Sequence, residues 1–306
     1  MDIASSATKK RRIDGHPWVS AKKRTSLQCS RPTTDEMAAY HFSLSKSGSL
    51  PALLPLTPNF SDAYIPLGTR FPQAALTNLQ KDSCPDTWEE VVESCRTTFN
   101  ELSIDPEVCT LIAAQTKSQA ASEKWHRFRT GRVTASNAGA ICATSLNKPS
   151  KSLLKRICYP DKIHSLEMDW GKKKKASARA AYVEATASHH VKFQCQLSGL
   201  HIRSDYPFVA ATPDGIISCE GCGDGLLEVK CPFSAKHDTI AEFASNKQLC
   251  LVVQGDDARL SSKHHYHYQV QMQMMICKKT YCNFVVWTEK DFFVEIIFLT
   301  RNSATT

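Results

Sequence analysis

The segment best equipped for chemistry is Thr212-Pro213-Asp214-Gly215, followed after a glycine-rich turn by Leu227-Glu228-Val229-Lys230-Cys231-Pro232. In an extended strand residues i and i+2 share a face, so Glu228 and Lys230 point together while Val229 points into the core. An Asp on the neighbouring strand then completes a cluster of two carboxylates and one ammonium. Two hard oxygen ligands of this kind can hold Mg2+ against a phosphate, and a nearby Lys can orient the attacking water or offset developing charge, which suits phosphodiester hydrolysis. The alternative is a surface hairpin carrying a Glu/Lys pair, an arrangement that contributes little.

Such a cluster needs strands beneath it and helices beside it. Short runs at residues 191–195, 200–203, 208–211, 215–218 and 226–229 read as successive strands separated by Gly, Asp and Pro turn signals. An Ala-rich stretch over 165–188 reads as a long helix broken only at Gly171, and a second helix is expected over 264–277. The β-branched and aromatic runs 283–287 and 292–299 close the chain as two further strands. The expected class is therefore α/β or α+β, with a mixed central sheet flanked by helices.

Upstream, Trp88, Val91, Val92, Cys95, Phe99 and Leu102 follow the i, i+3, i+4, i+7 rhythm of one helical stripe, and Asp105-Pro106 starts a second short helix with Asp as cap. Both helices are expected to pack on the core. Residues 1–80, rich in Ser, Thr, Pro and Lys, read as a disordered basic tail, 81–118 as a helical lead-in and 119–300 as the chemical domain. The net charge of +8 is concentrated in that tail, where residues 1–31 hold eight Lys/Arg against two Asp, so a polyanionic partner is expected. Lys9-Lys10-Arg11-Arg12 and Lys22-Lys23-Arg24 resemble nuclear-import signals, which points to the nucleus, or else the cytoplasm. The 13 cysteines are scattered and no apolar leader follows the basic residues, which fits a reducing intracellular compartment. The longest apolar runs are far shorter than the roughly 20 residues that span a bilayer.

The segment around Asp214 resembles the catalytic hairpin of the bacteriophage lambda exonuclease and YqaJ viral recombinase family, within the PD-(D/E)XK nucleases. Other blocks match in the same order: residues 125–136, from Trp125 through Arg129 to Thr134-Ala135-Ser136, are similar to that family's early W-x-x-x-R-x-x-x-x-T-A-S block; Trp170-Gly171 opens its middle helix; and Tyr268-Gln269-Val270-Gln271 resembles its late Y-x-Q-x-Q helix. The resemblance runs from about residue 120 to 297. It implies a restriction-endonuclease-like core and a metal-dependent deoxyribonuclease acting at double-stranded DNA ends in recombination, repair or mobile-element processing. Its metal would be Mg2+, or Mn2+, held by Asp214, Glu228 and the Val229 carbonyl, with Lys230 helping to position water. Arg129 and Ser136 would hold the terminal 5'-phosphate, consistent with the planar donor fork of Arg and a Ser opening a helix, although Ser136 also reads as a plain helix cap. Of Gln269 and Gln271, which spacing forbids from facing the same way, Gln271 is taken as the active-site member. Lambda-like relatives enclose DNA in a ring of three subunits, so a homo-oligomer is implied.

One position departs from the pattern. The family carries a Glu four residues beyond the Gly of Trp-Gly, and this chain has Lys175, in the run Lys172-Lys173-Lys174-Lys175. An ammonium in place of a carboxylate changes the local charge by two units and should weaken Mg2+ binding. That supports a second reading, a nuclease-fold DNA-binding protein with weakened or absent cleavage. Glu184 and Glu167 are the nearest acids, the first on the opposite helical face and the second across Gly171. The lysine run reads either as a solvated helix face or as a phosphate contact. Cys219-Glu220-Gly221-Cys222 is either a plain turn between the catalytic strands or half of a zinc site without a second pair at finger spacing. His264, His265 and His267 are taken as partly exposed histidines, not a metal site.

Overall fold

Central strands buried on both faces build the larger sheet of this computed structural model, which describes residues 31–46, 53–54, 57, 74–79, 85–145, 147–160, 165–245, 250–254 and 257–300. Its strands run β10 (Phe292–Phe298), β9 (Tyr281–Trp287), β6 (Gly223–Lys230), β5 (Gly215–Cys219) and β2 (Gln194–Gln196) across the sheet. β6 and β9 are parallel and the other pairs antiparallel, so the sheet is mixed, as expected. On one face Leu226, Cys282, Phe284 and Val286 meet Val270 and Met274 of helix α9 (His265–Cys277), Phe243 of α8 (Ile240–Ser245) and the hairpin β7 (Leu251–Gln254) with β8 (Asp257–Leu260). On the other, Ile217, Leu227, Val229 and Val285 meet Ala178 and Tyr182 of α7 (Leu166–Ala187). Each fully buried aliphatic here contributes roughly 1.5–3 kcal/mol, so strand register is strongly fixed.

Helix α7 runs unbroken through Gly171, which corrects the expected break: Ser165 caps its first turn and the Ala-rich middle carries the helix past the one glycine. A smaller sheet, β1 (Val133–Thr134), β4 (Tyr206–Ala211) and β3 (His201–Arg203), packs with α3 (Pro106–Gln115) and α4 (Glu123–Arg129) around Val108, Ile112, Phe128, Leu200, Ile202 and Ala210. Ala74 and Ala75 belong to that core, so it draws in residues upstream of 81. As expected, Asp105 caps α3, its side chain accepting from the Glu107 N–H at 2.8 Å, with Pro106 in the first turn. Helix α2 (Trp88–Glu101) forms where its stripe predicts, with a Thr87/Glu90 capping box, but it buries none of its residues. Trp88 is 73% exposed, and the largely exposed Phe99 stacks near Phe208 at a ring separation of 5.1 Å. Two short helices, α5 (Ala138–Ala143) and α6 (Lys151–Cys158), complete the second of two units, residues 65–306.

In the first unit, residues 1–64, the reading of disorder is corrected at helix α1 (Thr34–Lys46), whose start is fixed by Thr33 and Glu36 bonding each other reciprocally. Both basic runs lie outside the described residues. Among the described residues no helix is long and apolar enough to cross a membrane.

Candidate active site

The β5–β6 hairpin pairs Gly215 with Leu227, which places Asp214 just before β5 and beside Val229. Its own N–H donates to the Leu227 carbonyl at 2.9 Å, and its Oδ2 accepts from the Val229 N–H at 2.8 Å. Glu228 and Lys230 share a face as the strand period requires, Lys230 Nζ donating to Glu228 Oε1 at 2.8 Å, while Val229 packs into the core below. Asp214, Glu228 and Lys230 are thus brought together, with both carboxylates buried.

Helix α9 supplies the amides. Gln269 Nε2 donates to Glu228 Oε1 at 2.7 Å and Gln269 Oε1 accepts from Lys230 Nζ at 3.0 Å, while Gln273 Nε2 donates to Glu228 Oε2 at 2.8 Å. Gln271 is on the opposite side, bonded to the Phe298 carbonyl and the Thr300 N–H. The expectation for Gln271 is therefore corrected: the site's glutamines are Gln269 and its i+4 neighbour Gln273, which share a helix face. Gln269 and Gln273 stand at helical i, i+4 spacing in the sequence, but Gln273 lies beyond the Y-x-Q-x-Q block.

Lys175 points into the same cluster, its Nζ donating to Asp214 Oδ1 at 2.6 Å with the side chain 38% exposed. Burial pulls its ammonium down, but Asp214 and then Glu228 outweigh that and hold it well above the usual lysine range. Burial and the adjacent Glu228 push the Asp214 carboxyl up, against the pull of Lys175. At Glu228 burial also pushes upward, but Lys230, Lys175 and the Gln273 amide prevail and the carboxyl sits below its usual range. Two buried carboxylates are thus balanced by two ammonium groups, and each of their four oxygens accepts a hydrogen bond from this chain. As arranged, the residues do not fit a divalent cation: the carboxylate pair that would attract it is already neutralised, and Asp214 Oδ1 faces an ammonium.

Glu184 and Glu167 are both exposed, the latter bonded to Ser165. The lysine run is divided: Lys172 and Lys173 are exposed, whereas Lys174 pairs with Glu289 at 2.7 Å over the Trp170 ring.

A second polar cluster gathers around Arg129. Arg129 Nη2 donates to Ser136 Oγ at 3.2 Å and approaches Thr134 Oγ1 at 3.4 Å, and Ser136 is exposed. Burial, then the like charge of Arg156, lowers the Arg129 pKa. Ser136 lies in a single 3-10 turn, Ala135–Asn137, ahead of α5 and makes no capping bond there, so the plain-cap alternative falls. Trp125 links this cluster to the carboxylates, its ring under the Arg129 guanidinium at 4.9 Å and its Nε1 donating to Thr212 Oγ1 at 2.9 Å, two residues before Asp214. Gln119 Nε2 adds a bond to the Pro213 carbonyl at 3.0 Å. Neither link has a short-range signal, since the partners lie 87 and 94 residues apart in sequence.

The family model of the YqaJ-like viral recombinase domain matches residues 124–282, more than half of the chain. Among solved structures, an alkaline exonuclease from Laribacter hongkongensis is similar at 22% identity and a TM-score of 0.43, over 58% of this chain and 83% of that one. A SOX–DNA complex is similar at 11% identity and 0.41, over 82% and 70%. The shutoff and exonuclease protein of Kaposi's sarcoma-associated herpesvirus follows at 12% and 0.38, over 65% and 63%. No curated protein matches significantly.

Proposed function

The chain belongs to the YqaJ-like viral recombinase domain family, and we propose that it binds double-stranded DNA ends through a nuclease centre whose hydrolytic step is restrained by Lys175. The observation that carries this reading is the 2.6 Å bond from Lys175 Nζ to Asp214 Oδ1, inside an otherwise assembled cluster. Arg129 and Ser136 would grip a terminal 5'-phosphate, the guanidinium as a planar fork and the hydroxyl as a further donor. The Trp125 contact to Thr212 would fix that phosphate relative to Asp214 and Glu228. Lys230, oriented by Glu228 and Gln269, would direct a water toward the scissile phosphorus. The Mg2+ or Mn2+ that phosphodiester hydrolysis of this type uses needs both carboxylates, and Lys175 stands on one of them.

A nuclease that cleaves at full rate is the second reading, supported by the 38% exposure of the Lys175 side chain, which gives it a path into solvent. One experiment separates the two. Linear 5'-phosphorylated duplex and closed circular DNA are incubated with Mg2+ and the native protein, Lys175→Glu, or Lys175→Glu/Lys230→Ala. Restraint by Lys175 predicts that native protein shifts linear duplex on a gel yet degrades it at least about 100-fold more slowly than Lys175→Glu, since a correctly held cation supplies several kcal/mol. The double variant should lose roughly 10²–10⁴-fold of that regained rate. Native cleavage as fast as that of Lys175→Glu would replace this reading with the second, and failure to bind linear duplex would refute both.

A further inference from the structure

The turn of the β5–β6 hairpin holds a second cluster with chemistry of its own. Cys219 ends β5 and is paired with Gly223 across the turn, so Cys222 folds back over Cys219, and its N–H donates to Cys219 Sγ at 3.2 Å. Gly223 adopts φ +70°, the left-handed conformation that closes this loop without steric cost. The chain leaving α7 brings His190 onto the pair: its Nδ1 lies 3.4 Å from Cys219 Sγ and 3.6 Å from Cys222 Sγ. The three ligand atoms all lie within 4.8 Å of one another.

These are the dimensions of three corners of a tetrahedron. Bonds of about 2.3 Å to sulfur and about 2.05 Å to nitrogen at the tetrahedral angle place S and N roughly 3.6 Å apart. The approach is braced independently of any ligand: the Glu220 N–H donates to the Val191 carbonyl at 3.0 Å, Lys192 pairs with Glu220, and the His190 ring lies 5.7 Å from Phe193. Two thiolates and one imidazole in tetrahedral array select a soft or borderline divalent ion, not Mg2+.

We propose that His190, Cys219 and Cys222 bind one Zn2+, with water as the fourth ligand on the exposed Cys222 side. The ion clips the end of α7 to the tip of the β5–β6 hairpin. Those are the two elements that bring Lys175 to Asp214, so the clip braces the candidate active site from its far end without entering it. This inference is independent of any nuclease activity.

The test is metal analysis of the full chain purified under reducing conditions, with its cobalt-substituted form examined by visible absorption. About one zinc per chain is expected, with tetrahedral cobalt–thiolate bands. Cys222→Ser and His190→Ala should each weaken zinc binding by at least about 100-fold, the upper range even for outer-shell changes. Cys142→Ser, at an exposed cysteine of α5, should leave it unchanged. Circular dichroism shows whether each variant is folded, and should any fail, a chelator added to native protein should lower its melting temperature by at least about 3 °C. Native protein without zinc, zinc retained in Cys222→Ser, or a Cys219–Cys222 disulfide as the resting form would each overturn the assignment.

Discussion

Gln269 and Gln271 differ by two positions and by everything that matters to the cluster. Gln269 bridges Glu228 and Lys230, whereas Gln271 bonds the backbone near the end of β10. In a Lys175→Glu background, Gln269→Ala should therefore lower the cleavage rate by at least about tenfold, by freeing the Lys230 ammonium and leaving a buried carboxylate oxygen short of a donor. Gln271→Ala should stay within about twofold, and the comparison of initial rates on linear duplex decides it. Arg132 makes the complementary point about stability. It is fully buried, and its guanidinium donates to the carbonyls of Ala74, Phe128 and Pro207 at 2.6–2.8 Å, while burial brings its pKa down to about 10. Arg132→Ala strands these acceptors and opens a cavity, so a loss of at least about 3 kcal/mol in urea unfolding is expected. A loss under about 1 kcal/mol would mean the carbonyls find water.

At the scale of elements, α9 holds the two glutamines, and its N-terminus carries an unusual cap: neutral His264 Nδ1 accepts from the Tyr266 N–H at 3.2 Å. Burial, then His265 and Lys230, lowers the His264 pKa from 6.5 to about 4. Because the unfolded chain takes up the proton first, this contribution is complete above pH 6.5 and is lost as pH falls from 6.5 toward 4. His264→Asn keeps a capping side chain without titrating, so its melting temperature should fall less than that of native protein between pH 7 and about 5. Equal slopes would remove His264 from the acid response. The elements also show what was legible. Strands β5 and β6 follow from short runs between turn signals, the shared face of Glu228 and Lys230 from a period of two, and β9, β10 and α9 from composition and length. The helix-period stripe of α2 was real but its burial was not, because periodicity reports an apolar face without reporting what covers it. The β7–β8 hairpin and α8 were too short to stand out. His190 reaches the CxxC turn only through the tertiary fold, so local spacing shows two of that cluster's three ligands.

At the scale of the whole molecule, two sources of positive charge differ in kind: the N-terminal residues, with eight Lys/Arg among 1–31, and Arg129 with Arg156 near Ser136. The first should attract DNA without regard to its ends, and the second should recognise them. Removal of residues 1–31 should therefore flatten the dependence of duplex affinity on salt, with up to eight Lys/Arg withdrawn, yet preserve the preference for a 5'-phosphate over a 5'-hydroxyl. Arg129→Ala should do the reverse, keeping the salt slope within about one unit while abolishing the preference. Titrations at several salt concentrations with both duplexes test the pair, and a lost end preference on truncation would contradict this division of labour.

If Lys175 takes the place of a cation at Asp214, calorimetric titration of Mg2+ into the native, Lys175→Glu and Lys175→Glu/Asp214→Asn proteins reads that directly, without any reliance on cleavage. This occupancy of Asp214 by an ammonium predicts no saturable heat for the native protein at low millimolar Mg2+. It predicts binding at least about tenfold tighter in Lys175→Glu, and loss of that gain in the double variant. Native protein that binds Mg2+ as tightly as Lys175→Glu would contradict it, and would mean that the ammonium gives way to the metal.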